Sequence, residues 1–106
     1  MALNDDGSAS ATIDAENTFT DAVPVNGAGR HHATVTIVGD GGAAIASTIS
    51  IQMRRTGAPS TEWITVASRT AADVVALEFA GSMEIRAGIA TGDFSGNDVD
   101  VTVAAV

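Results

Sequence analysis

The chain has 106 residues and no cysteine, lysine or tyrosine; it has two prolines, three phenylalanines and one tryptophan. Without cysteine there is no disulfide framework, zinc-thiolate site, iron-sulfur cluster or thiol nucleophile. Without lysine, all fixed positive charge rests on five arginines, which face thirteen Asp and Glu for a formal net charge of -8. A surface of that sign repels phosphate backbones, so no nucleic-acid partner is expected. No segment approaches the roughly 20 consecutive apolar residues that span a bilayer, so no membrane partner is expected either. The first eight residues, Met1 to Ser8, carry neither a basic n-region nor an apolar h-region, and the expectation is synthesis in a cytoplasm.

What is present suits one small β domain. The length fits a single core. Hydrophobic residues make up 45% and charged residues 17%, with 11 glycines and many Val, Ile and Thr, a composition of short strands and turns.

Residues 1–17 are small, polar and acidic, and are expected to form a flexible acidic arm or a weakly held first strand, with the folded domain spanning 18–106. From Thr18 the apolar residues alternate: Phe19, Asp21, Val23 and Val25 share one parity, and Pro24 marks an edge strand because proline cannot donate to a ladder. After a turn at 26–29, Ala33, Val35 and Ile37 oppose Thr34 and Thr36, the period of a half-buried strand. Ile49, Ile51 and Met53 then alternate with Ser50, Gln52 and Arg54, leaving a polar face for solvent or a partner. Trp63 to Ser68 is the returning arm of a hairpin, in which Ile64 and Val66 compete with Trp63 for the inward parity and both faces stay open.

Residues 71–79 fit a strand through Val75, Leu77 and Phe79 and a helical stripe through Ala72, Val75, Ala76 and Phe79; the strand is preferred. Ala80 to Ser82 is short enough for a hairpin turn into Met83, Ile85, Ala87 and Ile89, whose other face carries Glu84 and Arg86. Val99, Val101 and Val103 form a last strand. Seven to eight short strands with Gly-rich turns about every 10 residues predict an all-β, antiparallel β-sandwich or barrel. So few aromatics leave a thin core, and burial against another subunit would widen the margin, which suggests a homo-oligomer.

Each candidate for chemistry has a plainer reading. His31 and His32 are adjacent on a strand and point to opposite faces, so they cannot share a metal within one chain, and they are expected at solvent or an interface. Asp93, Asn97, Asp98 and Asp100 offer oxygen ligands on a Gly-rich loop, but their spacing is not that of an EF-hand, and a solvated acidic turn is expected. Gly39-Asp40-Gly41-Gly42 lacks the Gly-Lys-Ser/Thr ending of a phosphate loop and is expected to be a turn. No serine sits in a nucleophile elbow, and no enzymatic activity, cofactor or metal is expected. Arg54 and Arg55, with Arg30, Arg69 and Arg86, suit carboxylates, either the chain's own or a partner's. Trp63 is expected to pack in the core or hairpin, with a stacking platform for a glycan as the alternative.

Four segments carry a likeness. Thr-Phe-Thr-Asp-Ala-Val-Pro-Val-Asn-Gly (18–27), Ile-Ser-Ile-Gln-Met-Arg-Arg (49–55), Glu-Trp-Ile-Thr-Val-Ala-Ser-Arg-Thr (62–70) and Met-Glu-Ile-Arg-Ala-Gly-Ile-Ala-Thr-Gly-Asp-Phe-Ser-Gly (83–96) resemble small tailed-phage structural proteins. In that group a strand ending in Gln-Arg-Ser leads to an Asp-Gly-Gly-like loop, a tryptophan strand, and a late Tyr-Arg-x-Gly-x-Lys-Thr-Gly-Asp-Tyr segment. Here residues 56–61 replace the Asp-Gly-Gly loop and Phe94 stands for the last tyrosine. The likeness covers about residues 18–104 and implies a virion component without catalytic residues.

The resulting expectation is a bacteriophage capsid decoration or cement protein on the outer surface of the head, with the major capsid protein as partner and a trimer as the oligomer. Asn4, Asp5 and Asp6 on the arm, with Arg54, Arg55 and Trp63, are the expected contact residues. The alternative is a tail, neck or fibre component that binds carbohydrate through Trp63 and the loop 56–62.

Overall fold

A computed structural model describes residues 7–105 and is all-β, with two antiparallel sheets packed as a sandwich. Nine strands are β1 (Ala9–Ile13), β2 (Thr18–Phe19), β3 (Val23–Val25), β4 (Arg30–Gly39), β5 (Ile49–Arg55), β6 (Ile64–Arg69), β7 (Asp73–Ala80), β8 (Met83–Ile89) and β9 (Val99–Ala105). One sheet has the order β1-β9-β4-β7; the other runs β2-β8-β5-β6, with β3 also on β8. Among the described residues only β5 and β6 are successive strands that pair as a hairpin.

The period-2 segments behave as their patterns require. Ala33, Val35 and Ile37 of β4, Ile49, Ile51 and Met53 of β5, and Val99, Val101 and Val103 of β9 are buried between the sheets. Segment 71–79 settles as a strand, because β7 pairs along β4 from Arg30↔Ala80 to Ile37↔Asp73. The sheets meet chiefly through β8 against β9, with β3 on β9 and β1 on β2. Both β6 and β7 end their sheets, which leaves Ile64 at 65% and Val74 at 63% exposed.

Several expectations are corrected or decided. Of the arm and the first strand, residues 9–13 form the strand, and it is firmly held: β1 pairs with β9 from Ala9↔Val103 to Ile13↔Val99, and Ala9, Ala11 and Ile13 are buried. Small residues there hid a full strand. The domain therefore begins at least nine residues before position 18. Asn4, Asp5 and Asp6 lie outside the described residues.

The turn at 80–82 is not a hairpin. It carries the chain from one sheet to the other, since β7 pairs with β4 and β8 pairs with β5. Strand periodicity says which side chains are buried but not which sheet a strand joins.

The edge segment at 18–25 is also split. Thr18–Phe19 pairs with Ile89 and Gly88, and Val23–Val25 pairs with Ile85 to Met83. Between them Thr20 is buried, donates its backbone N–H to Ala87 O at 2.8 Å and accepts Ala87 N–H on its hydroxyl at 3.2 Å. That shift of parity turns Val23 and Val25 inward and leaves Phe19 on the outer face, over Gly88. Pro24 is exposed at the edge, as its missing N–H requires.

Leu77, Phe79 and Met83, expected inside, are only partly buried and pack at the margin of the core.

Candidate functional site

The outer face of the five-stranded sheet carries a cluster that strand register assembles from four segments. Gln52 of β5 lies between Arg86 of β8 and Thr65 of β6, and one step along the sheet Arg54 lies opposite Glu84. Because residues two apart on a strand share a face, Arg54 and Gln52 stand beside Glu84 and Arg86. Arg54 Nε donates to Glu84 Oε1 at 2.8 Å. Arg86 Nε donates to Gln52 Oε1 at 2.8 Å, and Gln52 Nε2 in turn donates to Thr65 Oγ1 at 3.2 Å.

Two aromatic rings hold the guanidinium groups. Arg86 Cζ lies 4.0 Å from the Phe19 ring centroid and 4.5 Å from that of Trp63, and Arg54 Cζ lies 4.4 Å from the same indole. All three distances are within the range of cation–π attraction, which is worth about 0.5–2 kcal/mol depending on desolvation. Trp63 reaches this face because it sits at the mouth of the β5–β6 hairpin, ahead of Ile64↔Met53. Further along β6, Val66 is an extra residue between the pairs Gln52↔Thr65 and Ile51↔Ala67, a bulge that bends the edge strand. Partial burial pushes the Arg86 guanidinium below its ordinary value, and the neighbouring positive charge of Arg54 pushes the same way.

Phe19 reaches the cluster only because residue 88 is glycine. A Cβ there would stand 2.1 Å from Thr18 O and 2.5 Å from Phe19 Cα, so β2 could not lie against β8.

Of the residues singled out in the sequence, Arg54 and Trp63 are brought together. Of core and hairpin, Trp63 packs at the hairpin: it is half-buried on the sheet's outer face with two guanidinium groups at its ring. Arg55 points elsewhere and pairs with Glu62 at 3.1 Å on the exposed hairpin end. Arg86, grouped in the sequence with the arginines suited to carboxylates, joins Arg54 and Trp63, whereas Phe19, Gln52 and Glu84 were not singled out as site residues. The polar faces of β5 and β8 were legible one by one; their adjacency was not.

No family model, curated protein or solved structure matches this chain.

The other candidates are held within the fold. His31 Nε2 is 3.0 Å from Gly27 O and its ring centroid lies 5.7 Å from that of Phe79, while His32 is exposed opposite Glu78. Among the described residues no three His, Asp or Glu converge as a metal site. In the acidic stretch, Asn97 Nδ2 donates to Ala44 O, Asp98 O accepts from Asp40 N–H, and Asp100 Oδ1 accepts from Thr12 Oγ1 at 2.7 Å. Asp40 to Gly42 forms a 3-10 turn, and a Cβ on Gly39 would strike Ala43 O. A shallow depression of about 380 Å³ on the four-stranded sheet is lined by Ser10, Thr12, Asp100 and Thr102, whose hydroxyl and carboxylate groups already bond across β1 and β9.

Proposed function

We propose that this chain is a virion structural protein of a tailed phage, a decoration or cement protein that docks as a folded homo-oligomer, with a trimer the natural arrangement to test, on the major capsid protein at the outside of the head. One observation carries the reading: the four segments that resemble small tailed-phage structural proteins are not scattered through the fold. They supply β2 and β3 (from 18–27), β5 (49–55), β6 (62–70) and β8 (from 83–96), which together are the whole five-stranded sheet. A likeness caused only by strand and turn grammar has no reason to select one sheet. The outer face of that sheet presents tryptophan and arginine, the residue types enriched where protein surfaces dock.

Purified protein mixed with expanded heads that lack it should co-sediment at micromolar concentration. Failure to co-sediment refutes head docking. The half-exposed indole of Trp63 keeps a second reading open, a carbohydrate-binding component of a tail, neck or fibre. A glycan array with Trp63→Ala as control separates the two: Trp63-dependent glycan signal without head binding selects the second.

A further inference from the structure

Charge accounting singles out one arginine. Arg30 pairs with Glu78, Arg54 with Glu84, Arg55 with Glu62 and Arg69 with Asp73. Among the described residues no carboxylate is paired with Arg86; its one hydrogen-bond acceptor is the amide oxygen of Gln52. The cluster of Arg54, Arg86 and Glu84 therefore holds one uncompensated positive charge on a protein whose formal net charge is -8.

That charge is fixed in place. The Arg86 guanidinium contacts both Phe19 and Trp63, its Nε is held by Gln52, and Gln52 is held by Thr65. A guanidinium has five N–H donors in a planar fork, and the rest of this fork meets no other acceptor among the described residues. Ordering entropy that a free arginine would lose on binding has already been lost here.

We propose that Arg86 and Arg54, braced by Trp63 and Phe19, form a receptor for the carboxylates of an acidic segment on a partner protein. The planar fork matches a carboxylate in two parallel hydrogen bonds. Exposed Pro24, opposite Glu84 on the same face, gives the segment apolar contact beside its charge. Net charge selects against extended polyanions, whose many phosphates feel the whole acidic surface. A few carboxylates on a protein feel mainly the local pair, since charges beyond about 8 Å are screened at physiological salt. The proposal deepens the head-docking reading and rests on it for where the acidic segment is found.

Trp63 is the only tryptophan and there is no tyrosine, so intrinsic fluorescence reports from this site alone. The full chain is titrated with a capped tetraglutamate peptide, and separately with sodium glucuronate and inorganic sulfate. A saturable change with the peptide is expected. Arg86→Gln weakens it by about tenfold or more. Arg86→Lys weakens it too, because lysine keeps the charge and loses the fork. Glu84→Gln strengthens it several-fold by releasing Arg54, a gain that no unfolded variant can mimic. Far-UV circular dichroism checks that each variant is folded.

The proposal is overturned by an absence of saturation up to about 10 mM peptide, by equal binding of sulfate or glucuronate, or by a folded Arg86→Gln that titrates like the parent. Head sedimentation keeps the two readings apart. Heads that bind Arg86→Gln as well as the parent overturn the receptor and leave head docking intact. Peptide binding without head binding supports the receptor and refutes the head.

Discussion

Gly88→Ala tests how the two-residue strand β2 is held. Gly88 lies in β8 opposite Phe19, and its backbone is ordinary extended β, so the requirement for glycine is one of space. A methyl group there meets Thr18 O at 2.1 Å, Phe19 Cα at 2.5 Å and Phe19 Cδ2 at 2.9 Å. Two of these atoms are backbone and cannot rotate away. Overpacking of this kind costs about 1–3 kcal/mol. If β2 lifts to relieve it, the Phe19–Arg86 contact goes too, at about 0.5–2 kcal/mol. Against this, alanine restricts the unfolded chain and returns about 0.4–1 kcal/mol. A net loss of about 2 kcal/mol lowers Tm by roughly 8–16 °C for a domain of this size. Urea unfolding should be followed by both Trp63 fluorescence and far-UV circular dichroism. The clash predicts a lower midpoint, and a shifted emission maximum before any denaturant is added, because Arg86 loses Phe19 as its second ring. An unchanged or raised midpoint would refute the reasoning, since only the unfolded-state gain would then have acted.

Four more outcomes follow from individual contacts. Ser47 is fully buried, donates its hydroxyl to Ser95 O and accepts Ser95 N–H, both at 2.8 Å, so Ser47→Ala strands two backbone groups and should cost about 1–3 kcal/mol in chemical denaturation. Ile13→Ala should cost about 2–5 kcal/mol by the same assay, and removal of residues 1–17 should abolish cooperative unfolding, because β1 is a core strand; a truncated chain as stable as the parent would refute that placement. The hydrogen bond from Arg69, then that from the Val74 N–H, holds the Asp73 carboxyl below its ordinary value of 3.8. A depressed folded-state value means that the stability it contributes is present above the unfolded value and is lost as pH falls through the folded one, so its loss belongs to the acid range below about 4. Carboxyl NMR titration should show the Asp73 midpoint below that of an unpaired aspartate and rising in Arg69→Gln.

The fold was legible where period-2 alternation involved large side chains. β5 and β9 carry Val, Ile or Met at their buried hydrophobic positions, and β4 carries Val35 and Ile37 beside the smaller Ala33. β1 has the same alternation, with Ala9, Ala11 and Ile13 inward and Ser10 and Thr12 outward, but alanine contributes so little area that the pattern read as low complexity. Its burial depends on β9, more than 80 residues away, which one strand's pattern does not specify. The turn at 80–82 failed for a related reason. A short Gly-containing link serves a hairpin and a crossover equally well, and the choice is made by which sheet has an edge free to accept β8.

The cluster on the outer face shows the same division between local pattern and long-range pairing. Sequence placed Gln52 and Arg54 on one polar face and Glu84 and Arg86 on another, and once β5 and β8 are neighbours the pairing of Arg54 with Glu84 and of Arg86 with Gln52 follows from register. Phe19 could not be foreseen, because the parity shift at Thr20 that turns it outward comes from backbone bonds to Ala87. Trp63 was ambiguous for a physical reason: β6 is an edge strand with a bulge, so neither of its faces is fully covered, and Ile64 and Val66 stay exposed while the indole finds its partners across the sheet. Arginine is what makes that arrangement stable, since its flat guanidinium packs on an aromatic face while its N–H groups remain directional. Lysine at 54 or 86 would keep the charge and lose both the stacking and the fork, so the geometry of this face depends on arginine itself and not only on positive charge.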